Sequence, residues 1–165
     1  MGYWEKTGVS NEWYTPAYIF DALQITFDLD VAAPYCADKL HVPARNHFYQ
    51  HGLEKEWFGL VWMNPPFGGR NGIVPWLDKF FDHGNGVALT PDRTSTDWWQ
   101  NAARRADRTI FIWGKVKFER PDGSVGKSPS NGTTLFAVGP QASEALMRAT
   151  NTLGAIMQNS TASKP

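Results

Sequence analysis

The sequence predicts an α/β fold with a mostly parallel sheet and an antiparallel C-terminal edge. Short apolar runs suited to buried strands alternate with segments of helical period as far as residue 113. Such alternation marks crossover helices that join parallel strands. The runs 109–113 (TIFIW) and 133–138 (TTLFAV) then follow each other with only a polar Gly/Pro/Ser-rich excursion between them, which implies an antiparallel addition at one edge. The composition, 42% hydrophobic and 14% aromatic with eight Trp in 165 residues, is that of a packed core. The length fits one domain, taken as 1–158, with a small polar tail at 159–165 expected to be disordered.

The first segment, 1–14, reads as loop. Thr15 before Pro16 fits an N-cap and a first-turn proline, and 16–23 (PAYIFDAL) has Ile19, Phe20 and Leu23 at helical spacing. In 25–33 (ITFDLDVAA), Ile25, Phe27, Leu29 and Val31 alternate with Thr26, Asp28 and Asp30, the pattern of a strand with two carboxylates on one face. The stretch 34–50 has two prolines and little period, so it reads as loop with one turn of helix. The run 60–63 (LVWM) is a buried strand that stops at Asn64-Pro65-Pro66. A helix over 75–81 starts at Pro75 and closes at Gly84. A strand at 86–90 follows, then a helix capped by Thr96 and carrying Trp98, Trp99, Ala102 and Ala103. The segment 141–149 is helical by composition.

Charge and cysteine content narrow the function classes. The formal net charge is zero, which excludes a uniformly basic chain. The distribution is uneven, however. Residues 1–103 hold seven Lys/Arg and twelve Asp/Glu, whereas 104–127 hold seven and three. The acidic part suits a small-molecule site and the basic part suits phosphates. Cys36 is the one cysteine, so no internal disulfide and no Cys-cluster metal site is expected; it reads as a small buried residue. His41, His47, His51 and His83 lack metal-ligand spacing, and no metal is expected. No signal pattern opens the chain, and no apolar run reaches the roughly 18 residues a membrane helix needs. The expectation is a cytoplasmic protein without membrane contact. Trp98, Trp99 and Trp113 read as core.

Asn64-Pro65-Pro66-Phe67 is the most informative stretch. Both prolines have φ fixed near about −65° and no N–H to donate. Asn64 and Pro65 each precede a proline and are pushed to extended conformations. The Pro65 carbonyl is then a stiff acceptor, and the Asn64 side chain offers an acceptor and a donor. Phe67 can lie flat on a planar ring, and Gly68-Gly69 leaves room beside it. Such a hook can hold an amino group on an aromatic heterocycle.

The loop resembles the [Asp/Asn/Ser]-Pro-Pro-[Tyr/Phe] motif of amino-group methyltransferases. Further pieces match in order: Trp13-Tyr14-Thr15-Pro16, Phe27-Asp28-Leu29-Asp30-Val31-Ala32-Ala33, Phe48-Tyr49 with Gly52-Leu53 and Trp57, and Trp62-Met63 before the loop. The strand before Thr90-Pro91 and the Phe118 region after Gly114 complete the set. Together they resemble the phage-type DNA N6-adenine methyltransferase family, over residues 13–138. The resemblance implies a Rossmann-like fold, S-adenosyl-L-methionine as cofactor and DNA as partner. It implies that Asn64, Pro65, Pro66 and Phe67 hold the target amine and base. Asp30, Ala32 and Ala33 would bind the methionine end of the cofactor, with Tyr14, Thr15 and Pro16 closing over it and Asn64 beside it. Ala32-Ala33-Pro34 stands where a Gly-x-Gly loop is common, and Gln50-His51 where an acidic residue is frequent. Asp38 is the candidate for the ribose hydroxyls, and Asp28 is a candidate to hold the N-terminal segment.

Base and phosphate contacts are expected from 68–74, 92–97 and 119–131, with Arg70, Arg93, Arg120 and Lys127 as the cations. Two alternatives stand at this point. One is an N-methyltransferase acting on protein glutamine, which shares the loop. The other is a catalytically idle nucleic-acid-binding module of the same fold.

Overall fold

A computed structural model describes residues 13–35, 41–66, 69 and 72–159. Among these, six strands form one sheet: β1 (Leu29–Asp30), β2 (Val61–Met63), β3 (Gly86–Pro91), β4 (Arg108–Ile112), β5 (Thr133–Val138) and β6 (Gly154–Gln158), in the order β1-β2-β3-β5-β4-β6. β1 pairs parallel to β2, and β2 parallel to β3. β5 runs antiparallel to both β3 and β4, and β6 antiparallel to β4. Thus β1 to β4 point one way, and β5 and β6 the other.

The antiparallel part is larger than the sequence predicts, and β5 is not at the edge. The reason is visible in burial. Thr133 to Ala137 are buried without interruption, as a strand covered on both faces must be. β5 therefore belongs inside the sheet. The edge falls to β6, a half-exposed strand that the sequence reading did not include. Its Gly154-Ala155-Ile156-Met157 run is short and weakly apolar, which is tolerated where only one neighbour is needed.

The core has two layers. On one face, α1 (Ala17–Leu23) and α4 (Pro140–Leu153) bury Ile19, Phe20, Leu23, Ala145, Leu146 and Ala149 against Trp62, Val87, Leu89, Ile110 and Leu135. On the other, α2 (Val74–His83) and α3 (Asp97–Arg105) bury Leu77, Phe80, Trp98 and Trp99 against Leu29, Val61, Met63, Ala88 and Phe136. Val87 and Leu89 face one layer and Ala88 the other, as strand alternation requires. α2 closes at Gly84 in the left-handed region, and α3 is capped by the Thr96 hydroxyl, which accepts from Trp99 N–H at 3.4 Å. Trp113 departs from its core reading: it is 91% exposed, just beyond β4.

Three local expectations are corrected. Pro16, not Thr15, is the cap residue of α1, with an extended ψ of 149° and no side-chain cap bond. The strand expected over 25–33 is regular only at Leu29–Asp30. Asp28 and Leu29 N–H both donate to the Leu60 carbonyl, at 2.8 and 3.3 Å, so the ladder bulges there. The bulge sends Phe27 into one layer and Leu29 and Val31 into the other. Finally, 42–48 runs along the outer side of β1, through parallel bridges Phe27↔Ala44 and Asp30↔His47. Its Pro43 cannot donate to a ladder, which keeps the pairing irregular.

Because β1, β2 and β3 are parallel, their carboxyl ends meet at one end of the sheet. β5 runs the other way, so its first residue, Thr133, lies at the same end. In open α/β sheets this is where ligands bind.

Candidate active site

A cavity of about 1130 Å3 opens at that end. Its lining comes from three places: the end of β1 with the 48–54 segment, the end of β2, and a third wall made of residues 13–15 and the 118–133 excursion. A volume above the usual ~300–1,000 Å3 of a single small-molecule site leaves room for two ligands.

Asp30 ends β1. It is 2% exposed, and its carboxylate accepts from Ala32 N–H at 3.1 Å. Burial pushes its pKa up to about 7, against the lowering effect of that backbone bond. A carboxylate so placed attracts a cation, and no described side chain pairs with it. The neighbouring Asp28 is built differently. Its carboxylate accepts from Leu60 N–H and from the Arg45 guanidinium, both at 2.8 Å, and so holds the bulge; the N-terminal segment it was expected to hold, 1–12, lies outside the described residues. Gly59, at φ 62°, is needed there: a Cβ would lie 2.3 Å from the Asp28 carboxylate.

The 48–54 segment closes against β1 at Gly52. A Cβ on Gly52 would lie 2.1 Å from the Val31 carbonyl and 2.9 Å from the Trp76 ring. The Gly52 carbonyl in turn accepts from the Trp57 indole at 2.6 Å. Phe48, Tyr49 and Trp76 thereby join the lining.

β2 ends in Asn64-Pro65-Pro66. Asn64 is half-buried, Pro65 buried and Pro66 exposed. The Asn64 amide nitrogen donates to the Thr15 hydroxyl at 3.1 Å. All three residues line the cavity, as Thr15 does. Phe67 and Arg70 lie outside the described residues, as do Cys36 and Asp38.

The third wall is tied together by the backbone. Tyr14 and Glu119 exchange N–H···O bonds of 2.8 and 3.0 Å, and the Glu119 carboxylate meets His41 Nε2 at 2.8 Å. The Trp13 ring packs on Gly126, where a Cβ would lie 2.4 Å away, and the Arg120 guanidinium lies 5.2 Å over the same ring. Exposed Lys127 lines the cavity beyond it. The Thr134 hydroxyl donates to Asp92, and Asp92 N–H donates to the Gly132 carbonyl at 2.9 Å, which fixes where the excursion returns to the sheet. Arg93 is exposed on the next loop and does not line the cavity.

The structure thus brings Tyr14, Thr15, Asp30, Ala32, Ala33, Asn64, Pro65, Pro66, Arg120 and Lys127 onto one cavity. Pro16 and Arg93 lie off it. Trp13, Phe48, Gly52, Trp76 and Phe118 line it without having been read as site residues. Trp13, Phe48, Gly52 and Phe118 carry a signal in the sequence, since they sit in the motif pieces; Trp76, inside a helix, carries none. Among the described residues no group of His, Cys, Asp or Glu could hold a metal ion, and no helix is long and apolar enough to cross a membrane.

A family model described as DNA N-6-adenine-methyltransferase (Dam) matches residues 5–153. Comparisons with curated proteins and with solved structures found no match. The family match covers nearly the whole chain, including every wall of the cavity. It decides against the glutamine-directed and idle alternatives, which nothing else favours. The chain belongs to the Dam family of DNA N-6-adenine methyltransferases and is an enzyme that methylates the N6 of adenine in DNA.

Proposed function

We propose that the cavity takes S-adenosyl-L-methionine on its β1 side and an extrahelical adenine at the Asn64-Pro65-Pro66-Phe67 hook, within a Rossmann-like domain over residues 1–158. One observation carries this reading. A buried carboxylate, Asp30, and the rigid Asn64-Pro65-Pro66 hook open on the same cavity. Asp30 fits the cofactor's ammonium group: it is buried and accepts one backbone N–H, and a charge-assisted hydrogen bond there is worth about 1.5–3 kcal/mol. Ala32 and Ala33, with Tyr14, Thr15 and Pro16, would enclose the same end. When bound, the cofactor supplies an electrophilic sulfonium methyl.

The chain's own residues do the rest. The adenine amine is a poor nucleophile because its lone pair is delocalised into the ring. The Asn64 amide oxygen and the Pro65 carbonyl accept its two hydrogens and draw it toward sp³ geometry. They also favour the positive charge that develops on nitrogen. Neither acceptor has to take a proton before transfer; as the methyl–sulfur bond breaks the donor would leave as a neutral thioether, and the protonated amine would then lose one hydrogen to water. Phe67 stacks on the base and offsets about 1–3 kcal/mol of the few kcal/mol that flipping costs. Arg120 and Lys127 on the third wall, with Arg93 on a nearby loop and Arg70, meet phosphates. A DNA substrate implies work in the cytoplasm, a host's if the chain is phage-encoded.

The test is Asn64→Ala. The rate of methyl transfer should fall by at least ~10²-fold, the scale of one lost preorganised contact. DNA affinity should barely change, since phosphates dominate it. Full activity in this variant would end the proposed mechanism. Mass spectrometry of digested DNA should find N6-methyldeoxyadenosine.

A further inference from the structure

We propose that Thr15 is a positioning residue for methyl transfer: its hydroxyl, hydrogen-bonded to the Asn64 amide, fixes that side chain where it can meet the amine. The proposal rests on the reading of Asn64 as an acceptor for that amine.

The chemistry sets the requirement. An exocyclic amine presents hydrogens, so only the oxygen end of a primary amide can receive it. The two ends of the amide have nearly the same shape, and a half-turn about the last side-chain bond exchanges them. Something in the protein must therefore hold one orientation. In the structure the Asn64 nitrogen donates to the Thr15 hydroxyl at 3.1 Å, and both residues line the cavity.

Thr15 is suited to the task. It is 3% exposed, so water competes little for its hydroxyl. It is also released from the role its sequence position suggests. A threonine before a helix usually caps it, yet here Pro16 is the cap residue and no side-chain cap bond forms. Its backbone is fixed on both sides. Tyr14 is paired with Glu119, and Pro16 leads into α1, whose first turn is closed by Ile19 N–H donating to the Pro16 carbonyl at 3.2 Å. Asn64 is fixed by the end of β2 and by Pro65, so the amide is the remaining soft part.

The test uses Thr15→Val, which keeps the shape and removes the hydroxyl, and Thr15→Ser, which restores it. At saturating DNA and cofactor, Thr15→Val should slow transfer about tenfold, the scale of one lost hydrogen bond. Calorimetric affinity for DNA should stay within about twofold. Thr15→Ser should recover most of the rate. In an Asn64→Ala background, Thr15→Val should have no further effect, because the group it positions is gone. By NMR, the Asn64 side-chain amide protons should exchange faster with solvent in Thr15→Val. A normal rate at saturating cofactor and DNA, whatever the cofactor affinity, would overturn the proposal. So would additive losses in the double variant. Failure of the parent reading is separate: it appears as full activity of Asn64→Ala alone, whatever the amide protons show.

Discussion

The β1 side of the cavity and its third wall are built by opposite means. The β1 side is locked into the sheet. Asp30 N–H donates to Asn46, Phe48 N–H donates to Asp30, and Gly52 sits too close to Val31 for any side chain. The third wall is attached at a few points: the Tyr14–Glu119 pair, the His41–Glu119 contact and a tryptophan laid on a glycine. Among the described residues, the first wall carries a buried acid and no Lys or Arg, whereas the third wall carries Arg120 and Lys127. The difference suits the two ligands. A small molecule of fixed shape is best met by a fixed wall, because ordering has been completed on folding. DNA is large, and in the proposed arrangement its phosphates would be met by exposed cations on a looser wall.

Between the two walls, Asp30 gives the largest expected effect. Asp30→Ala should weaken cofactor binding by about ten- to hundredfold, the scale of a charge-assisted bond. The pH dependence is sharper evidence for a fixed acidic wall. The carboxyl must be ionised to meet an ammonium, and burial holds its pKa near about 7 in the free protein. Affinity should therefore fall as pH drops below 7, approaching about tenfold per unit. Stability should move the other way. The folded state keeps this proton between the unfolded value of 3.8 and about 7, so Asp30 lowers stability as pH rises through that window. Asp30→Asn should match the parent's Tm near pH 4 and exceed it at pH 8. A flat affinity profile between pH 6 and 8 would mean that Asp30 does not pair with the ligand.

Two glycines test rigidity directly. Gly52→Ala must push against the Val31 carbonyl, 2.1 Å from the new Cβ, and backbone in a sheet does not yield cheaply. A loss of about 1–3 kcal/mol is expected, the range for overpacking. Gly126→Ala meets the Trp13 ring at 2.4 Å, a 42%-exposed side chain that can swing out. It should be clearly less destabilising, with altered Trp fluorescence. Equal losses in chemical denaturation would contradict the contrast between the walls.

What the sequence made legible follows from range. Asn64-Pro65-Pro66 was readable because prolines fix backbone geometry locally. α2 and α3 were readable from Pro75, Gly84 and Thr96, which are local stop and start signals. β5's place inside the sheet was not, because strand order is a property of the assembled core. The bulge at Asp28 depends on Leu60, more than thirty residues away, and no local pattern announces it. Thr15 misled for the same reason. Its local signal is a helix cap, and its partner, Asn64, is 49 residues along the chain.

The third wall gives the smallest expected effect, and it sharpens the comparison most. Lys127 is exposed and Arg120 is half-buried against Trp13. If both meet phosphates, each releases counterions on binding. The slope of log affinity against log salt should then flatten by about 1.8 in the Arg120→Ala/Lys127→Ala variant, near 0.9 for each phosphate contact. Cofactor affinity should not move, because neither residue belongs to the β1 side. The single variants separate the two roles. Lys127→Ala should lower affinity for every DNA sequence alike, as a point charge does. Arg120→Ala should in addition loosen Trp13 and the Tyr14–Glu119 strap behind it. A small loss in the transfer rate is then expected at saturating DNA, where Lys127→Ala has none. An unchanged salt slope in the double variant would remove the phosphates from this wall and leave its positive charge without a partner.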